Sequence, residues 1–351
     1  MPLLAGGLLE LPLGVGAGEG KRRRLAVLAG GIVFVLTLLG VASARSFAVL
    51  LCAFVAFYPA SGAFVSLTQA ELMDTWPDRQ AQVMARWELA GSIGAVAGPL
   101  LLTVVLASGG GWREAYLVLA VLAALAWLGR CLRGPRAAGM GTVAEAGTAA
   151  GARGEAERRP WTVRAREVLE ALRDWGTVRW LVLLQVADLL EDVLTGFLAL
   201  YLVDVEHLRP AIAALAIAIR LGASLGGGSA LIVILERVGD LTVLRATAAA
   251  AALLYPGFLL VPGVAAKLAI LAVLSAASAP WYPLLQARLY GSLPGRSSAA
   301  VTLSSAAALA GGLGPLAVGL AAQAFGLGWA LAGLAVAPLA VLALAATARR
   351  T

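Results

Sequence analysis

The sequence predicts an all-α polytopic membrane protein, with two pseudo-symmetric transmembrane helix bundles containing about ten complete spans and a partial first one. Three observations carry this. The 351 residues are 60% hydrophobic and 13% charged, with a mean hydropathy of +0.87, whereas soluble domains run near about 45–50% apolar and about 25% charged. Apolar runs of about 20 residues, the length that crosses a bilayer as a helix, recur along the chain. The Lys and Arg residues lie between those runs, dense in alternate loops and sparse in the others.

In order, the runs fall near Leu25–Ala42, Phe47–Leu67, Glu88–Ala107 and Ala115–Leu128. A second series follows near Val178–Val203, Ala211–Leu235, Val243–Val261, Leu268–Leu285, Ala299–Leu320 and Leu327–Ala346. Pro2–Val15 is apolar but too short to cross alone, and lacks the positive stretch that opens a signal peptide, so it reads as the tail of a further helix. Cys52 and Cys131 are far from any second ligand residue and read as small buried hydrophobes; no disulfide, metal or cofactor is expected.

Orientation follows from the cations. Lys21–Arg24, Arg79, Arg86, the ten Arg from Arg130 to Arg179, Arg237, Arg245, Arg288, Arg296, Arg349 and Arg350 fall on one side, 22 of the 27 in all. Arg45, Arg113, Arg209 and Lys267 fall on the other, with Arg220 inside a span. Short cytoplasmic loops carry the excess of Lys and Arg, which places the richer side, the linker and the C-terminus in the cytoplasm of a plasma (inner) membrane protein. The net charge of +7 is therefore spread over loops, and nucleic acid is not an expected partner. The expected organisation is an N-terminal bundle over 1–133, a cytoplasmic linker over 134–177 and a C-terminal six-helix bundle over 178–351. Within the linker, Trp161, Ala165, Val168, Leu172 and Trp175 recur at helical spacing, predicting an amphipathic helix that lies on the membrane surface or binds a partner.

The two series overlay. Gln69-Ala70, Leu72, Pro77 and Arg79 match Gln286-Ala287, Leu289, Pro294 and Arg296 at one constant offset, which also relates Trp112 to Trp329. Gly98-Pro99 and Gly314-Pro315 agree to within one residue, so the bundle reads as duplicated. Gly20 corresponds to Gly239 at an offset two residues longer, and two full spans precede Gly239. On that overlay the first bundle lacks roughly 40 residues, about one and a half helices, through either a start assigned at an internal Met or a true truncation.

This pattern resembles the major facilitator superfamily, with its two six-helix bundles and cytoplasmic linker. The family's G-x-x-x-D-R-x-G-R-R loop is similar to Ile232, Glu236, Arg237, Gly239, Asp240 and Leu241, and less so to Ala17, Gly18, Gly20, Lys21 and Arg22. Its Gly-rich helix 5 motif, associated with exporters, resembles Gly94, Gly98 and Pro99, with Leu102 and Thr103 in place of the closing glycines; Gly111-Trp112-Arg113 resembles its usual opening of helix 6. The Arg that the family often carries in helix 4 falls at Tyr58. On physical grounds, glycines four apart let helices approach closely, and Pro99 bends its helix. An acid and an Arg in a tight loop can bond helix ends in one conformation and release them in another, or can simply be solvated.

Chemistry concentrates in the first span of the second half. Gln185, Asp188 and Asp192 stack at i, i+3 and i+7, with Glu191 beside them. A carboxylate at mid-bilayer costs at least about 2.5–3.5 kcal/mol, so these acids should face a wet cavity. Arg220, roughly 20 Å deep by a 1.5 Å rise per residue, is expected to pair with Asp192. The cluster either exchanges protons and binds substrate as the bundles alternate, or forms a fixed network that joins two helices. Tyr58, Gln69, Trp87, Tyr255, Trp281, Tyr282, Glu88 and Gln286 either line a substrate path or anchor span ends.

The class this predicts is a secondary transporter moving a small molecule by alternating access, with proton-coupled export favoured, acting as a monomer in the bilayer and not as an enzyme. A non-transporting remnant and an intramembrane enzyme acting on lipid are the alternatives; the latter would want a His-acid or nucleophile-base cluster, and there is one His.

Overall fold

A computed structural model describes residues 21–132, 166, 168–293 and 297–347. Ten long helices run through them: α1 Lys21–Ser43, α2 Phe47–Thr75, α3 Pro77–Ala107, α4 Trp112–Leu132, α5 Trp175–Leu200, α6 Pro210–Ile234, α7 Asp240–Leu260, α8 Val264–Gly291, α9 Ala299–Phe325 and α10 Leu327–Ala346. No strand occurs among the described residues. Nine of the ten are long and apolar enough to span a bilayer. The other, α5, has the length but carries Asp188, Glu191 and Asp192 in its middle. The expected tail helix at Pro2–Val15 and most of the linker lie outside the described residues; at the linker's end Val168–Ala171 is helical, Leu172 and Arg173 turn, and α5 begins.

Hydrocarbon offers no hydrogen bonds, so a chain that crosses it must satisfy its backbone within helices. Large apolar side chains such as Leu132, Leu253, Leu260 and Trp329 point outward and are about four-fifths exposed, a surface suited to lipid and not to water. Several helices extend past their apolar runs: α1 begins at Lys21, α2 continues to Thr75 and α4 to Leu132, and these added turns hold Arg23, Glu71, Asp74 and Arg130, which pair between helices.

The chain forms two compact units. The first holds α1, α2, α4, α3 from Gly94 and α9 to Leu309; the second holds α3 from Arg79 to Ile93, α5 to α8, α9 from Ala310, and α10. In the first, α1 packs on α2 and α4. Gly30 makes room for Ala63, and Gly31 for Phe64 and Trp127, each position too close to its neighbours for a Cβ. Arg23 pairs with Asp74 at 2.7 Å, and Arg130 pairs with Glu71, joining the Arg-rich ends of α1, α2 and α4. The Trp127 indole donates to Leu28 O at 3.0 Å, and Arg113 Nη2 donates to Ala44 O at 2.8 Å. Cys52, expected to be buried, is exposed on α2 in an apolar groove of about 710 Å³ against α1.

The second unit repeats these ties with different chemistry. Asp240 of α7 and Arg288 of α8 form a two-pronged pair at 2.5 and 2.6 Å, joining the Arg-rich ends of these two helices as Arg23 and Asp74 join α1 and α2. Arg245 donates to Ala345 O at 3.0 Å and so joins α7 to α10 as Trp127 joins α4 to α1. Close approach of α6 and α8 depends on Gly227, whose Cα faces the Ala276 backbone without room for a side chain.

At the opposite end, Lys267 departs from expectation. The sequence places it in an exterior loop, yet α8 begins at Val264 and folds it into the protein, 3% exposed. Its ammonium pairs with Glu206 Oε1 at 2.8 Å and donates to the Phe258 and Leu259 carbonyls at 3.0 and 3.1 Å, which are terminal acceptors of α7 with no helical partner. Tyr201, in the π-helical turn Tyr201–Val205 that ends α5, donates to the same carboxylate at 2.7 Å. His207 follows in a left-handed conformation, φ 54°. Burial pushes the Glu206 carboxyl up, but the hydrogen bonds from Lys267 and Tyr201 outweigh it and hold the group below the usual carboxylate range.

Two outcomes follow from this packing. Gly227→Val forces α6 from α8 and lowers the thermal unfolding temperature in detergent, whereas Gly228→Ala, where an added Cβ meets open space, leaves it unchanged. Because Glu206 is held charged in the folded state, its stabilisation is complete above the free value of 4.5 and is lost as pH falls through the lower folded value. Unfolding temperatures measured between neutral and acidic pH therefore fall more steeply below that value in the native protein than in Glu206→Gln.

Candidate functional site

The expected acidic cluster forms within the second unit, on the middle of α5. Asp188 is half-buried, and Glu191 and Asp192 are accessible on the faces beside it. Asp192, Glu88 and Glu191 all lie within electrostatic range of Asp188. Glu88 comes from the stretch of α3 that belongs to this unit. Tyr282 on α8 lies within the field of Asp188 and Glu88. Gln185, one turn before Asp188, presses its Oε1 against Gly311 of α9, and Leu189 meets Gly314, so both glycines are positions where a Cβ would collide with α5. Gly314 and Pro315 open the second segment of α9, where the missing proline N–H costs nothing.

Arg220 is buried, as expected, but its partner is Glu191 and not Asp192. The guanidinium pairs with the Glu191 carboxylate and also donates to the Glu191 carbonyl at 3.2 Å. The two acids are adjacent on α5 and about 100° apart around it, so the rotation of α5 against α6 decides between them. Asp188 and Asp192 form no ion pair among the described residues, although Asp192 lies within range of Arg220. The group thus holds four carboxylates and one guanidinium that is already engaged.

Other expected residues have different duties. Tyr255 is fully buried, and its hydroxyl donates to Leu331 O at 2.8 Å, so it joins α7 to α10. Trp281 is likewise buried, its indole on Thr247 Oγ1 at 3.2 Å. Gln69 and Gln286 occupy equivalent buried sites on α2 and α8. The Gln286 Oε1 has no hydrogen-bond partner among the described residues. Tyr58 lies in the first unit beside Phe57, their rings 5.9 Å apart. Trp87 is partly buried on α3, one residue before Glu88.

A Cβ on Gly94 or Gly98 would meet nothing within 4 Å among the described residues, whereas one on Gly30, Gly31, Gly227, Gly311 or Gly314 would collide with a neighbouring helix. Thr103, one turn after Pro99, donates to the Pro99 carbonyl at 2.9 Å. In the loop before α7, Glu236 and Arg237 are exposed and Gly239 caps the helix, while the bond between helix ends is made by Asp240. Gln82 on α3 donates to Leu235 O at 3.3 Å beside that loop.

If the Arg220–Glu191 pair organises the site, removing the half-accessible acid should cost more than removing the buried cation. In detergent, Glu191→Ala leaves a buried guanidinium without a counter-charge and should lose about 1–3 kcal/mol. Arg220→Met, which removes the buried charge itself, should lose clearly less; equal losses would count against the pair as the organising contact.

The profile of the Major Facilitator Superfamily matches residues 1–303. No curated protein matches the chain in sequence. Among solved structures, the E. coli fucose:proton symporter FucP superposes with a TM-score of 0.78 at 14% identity, covering 99% of this chain and 90% of that one. The proton:xylose symporter XylE bound to 6-bromo-6-deoxy-D-glucose gives 0.71 at 15%, covering 97% and 83%. The human organic anion transporter MFSD10 (TETRAN) gives 0.69 at 20%, covering 98% and 82%. At these identities the likeness is one of fold.

Proposed function

The chain belongs to the Major Facilitator Superfamily, whose members are membrane transporters and not enzymes, and we propose that it carries a small molecule across the plasma membrane in exchange for protons, with export as its direction. The acids of α5 are the site. The observation that carries this is the surplus of carboxylate: Asp188, Glu191 and Asp192 on α5 and Glu88 on α3 share one guanidinium in largely apolar surroundings. Three unbalanced charges in a membrane-spanning bundle are costly unless something mobile neutralises them, and protons and substrate are the mobile species. Whichever occupies Asp188 and Asp192 excludes the other, and exclusive occupancy at one site is what exchange requires. Arg220 holds Glu191 in place and keeps the helices together while the neighbouring acids change state. FucP and XylE are proton symporters, which supports a proton as the coupled ion; the resemblance of Gly94, Gly98 and Pro99 to the exporter motif supports the direction. The excess of Arg in alternate loops supports a cytoplasmic linker and C-terminus. The domain division at residues 133 and 178 belongs to the same reading, with one functional protein per bilayer site.

The test is transport in proteoliposomes under an imposed pH gradient, the interior pH followed with an entrapped dye while a panel of labelled compounds is screened. Asp188→Asn and Asp192→Asn should each reduce coupled flux at least about tenfold, with folding verified by thermal unfolding. Undiminished proton-coupled flux in both variants overturns the reading.

A further inference from the structure

The first half of α3 is held by the second unit. Residues Arg79–Ile93 cluster with α5 to α8, and the helix leaves that unit at Gly94. Ala85 shares one buried core with Trp180, Leu183 and Leu284. Two amides mark the seat at its Arg-rich end: Gln82 Nε2 donates to Leu235 O at 3.3 Å, and Gln80 Oε1 rests against Gly291, 3.1 Å from where a Cβ would stand. Register then sets the height of Glu88. From the Gln80–Gly291 contact, about 12 Å of α3 leads to Glu88 and about 13.5 Å of α8 leads to Tyr282, at about 1.5 Å per residue. Thr177 Oγ1 donates to Ser292 Oγ at 3.2 Å. From that bond, about 16.5 Å of α5 leads to Asp188 and about 15 Å of α8 leads to the same Tyr282. Glu88 and Asp188 therefore lie within about one turn of each other in height, at the level of Tyr282, and each is in the other's field. Glu191, one turn farther along α5, adds to the field on Glu88, while its own charge is met by Arg220. Two carboxylates at one height in apolar surroundings repel each other unless they hold a proton between them.

Resting on the reading of the α5 acids as the transport site, we propose that Glu88 couples the load of that site to the seating of α3. The segment Arg79–Ile93 stays seated in the second unit while Glu88 and Asp188 share one proton, and it is released when both are charged. Glu88 is thus a positioning residue. The titratable groups around it among the described residues are Asp188 and Glu191 from α5 and Tyr282 from α8. Pro99, just beyond the segment, lacks the N–H that would bond Ala95 O, which lets the helix bend there. The seated form holds one proton more than the released form, so raising the pH shifts the ratio of seated to released towards release, by up to about tenfold per pH unit.

Seating is read as the distance between nitroxide labels on Arg79→Cys and Val238→Cys, both exposed positions, in a Cys52→Ser, Cys131→Ser background. Pulsed electron paramagnetic resonance on the full chain in liposomes is recorded at about pH 6 and at about pH 9. A short distance in acid should give way to a longer one in base. Glu88→Gln, whose amide donates to Asp188 without titrating, should keep the short distance at both, which also reports an intact fold. Glu88→Asp, which restores a carboxylate, should bring the change back. A distance that ignores pH with Glu88 in place, or a pH response that survives Glu88→Gln, overturns the proposal. If coupled flux depends on Asp188 and Asp192 while the distance ignores pH, only the coupling through Glu88 is wrong. If the distance responds through Glu88 while flux is indifferent to those two acids, the coupling stands and the reading of the transport site is wrong.

Discussion

Hydrocarbon supplies no hydrogen bond and no counter-ion, and most of this structure answers that constraint. Backbone groups are satisfied by making every crossing a helix. That leaves the helix ends and the charged side chains. Lys267 answers both at once, since one ammonium meets the terminal carbonyls of α7 and neutralises Glu206. Arg113 and Arg245 do similar work on the ends of α1 and α10. Against this background the acids around α5 stand out, because Glu88, Asp188 and Asp192 have no paired cation among the described residues. That contrast is the ground for reading them as the place of a ligand or a proton.

The two units tie corresponding helices by different chemistry. Leu28 on α1 accepts through its carbonyl from the Trp127 indole of α4, and Arg245 on α7 donates through its side chain to carbonyls of α10. What the units share is a polar bond between the corresponding pair of helices. Such a bond is worth about 1 kcal/mol, enough to favour one rotation of a helix over another when packing is Ala- and Leu-rich and nearly cylindrical. Close approach, by contrast, has not been conserved: the glycines without room for a side chain lie at Gly30 and Gly31 in one unit and at Gly227, Gly311 and Gly314 in the other.

The spans and the family were legible because both rest on long runs and spacing. The acids were legible because a carboxylate in an apolar run is conspicuous whatever surrounds it. Their pairing was not. Counting residues fixes depth to about one turn but says nothing of rotation, and Glu191 and Asp192 differ only in rotation. Lys267 shows the complementary failure: hydropathy treats a Lys at the border of a span as exterior, and only packing shows the chain turning it inward. Gly94 and Gly98 were conspicuous as a motif, yet a Cβ there meets nothing within 4 Å among the described residues, while Gly227, hidden in a run of three glycines, carries the α6–α8 contact. A stripe of small residues indicates where helices can approach, and the partner's shape decides where they do.

The order of charge in the Arg-rich ties bears on whether the two units are interchangeable. In the first unit α1 presents Arg23 to Asp74 of α2, whereas in the second α7 presents Asp240 to Arg288 of α8. A chimaera that set α1 beside α8 would therefore bring guanidinium to guanidinium, and one that set α7 beside α2 would bring carboxylate to carboxylate. However alike their apolar spans, the two hairpins are not spare parts for each other.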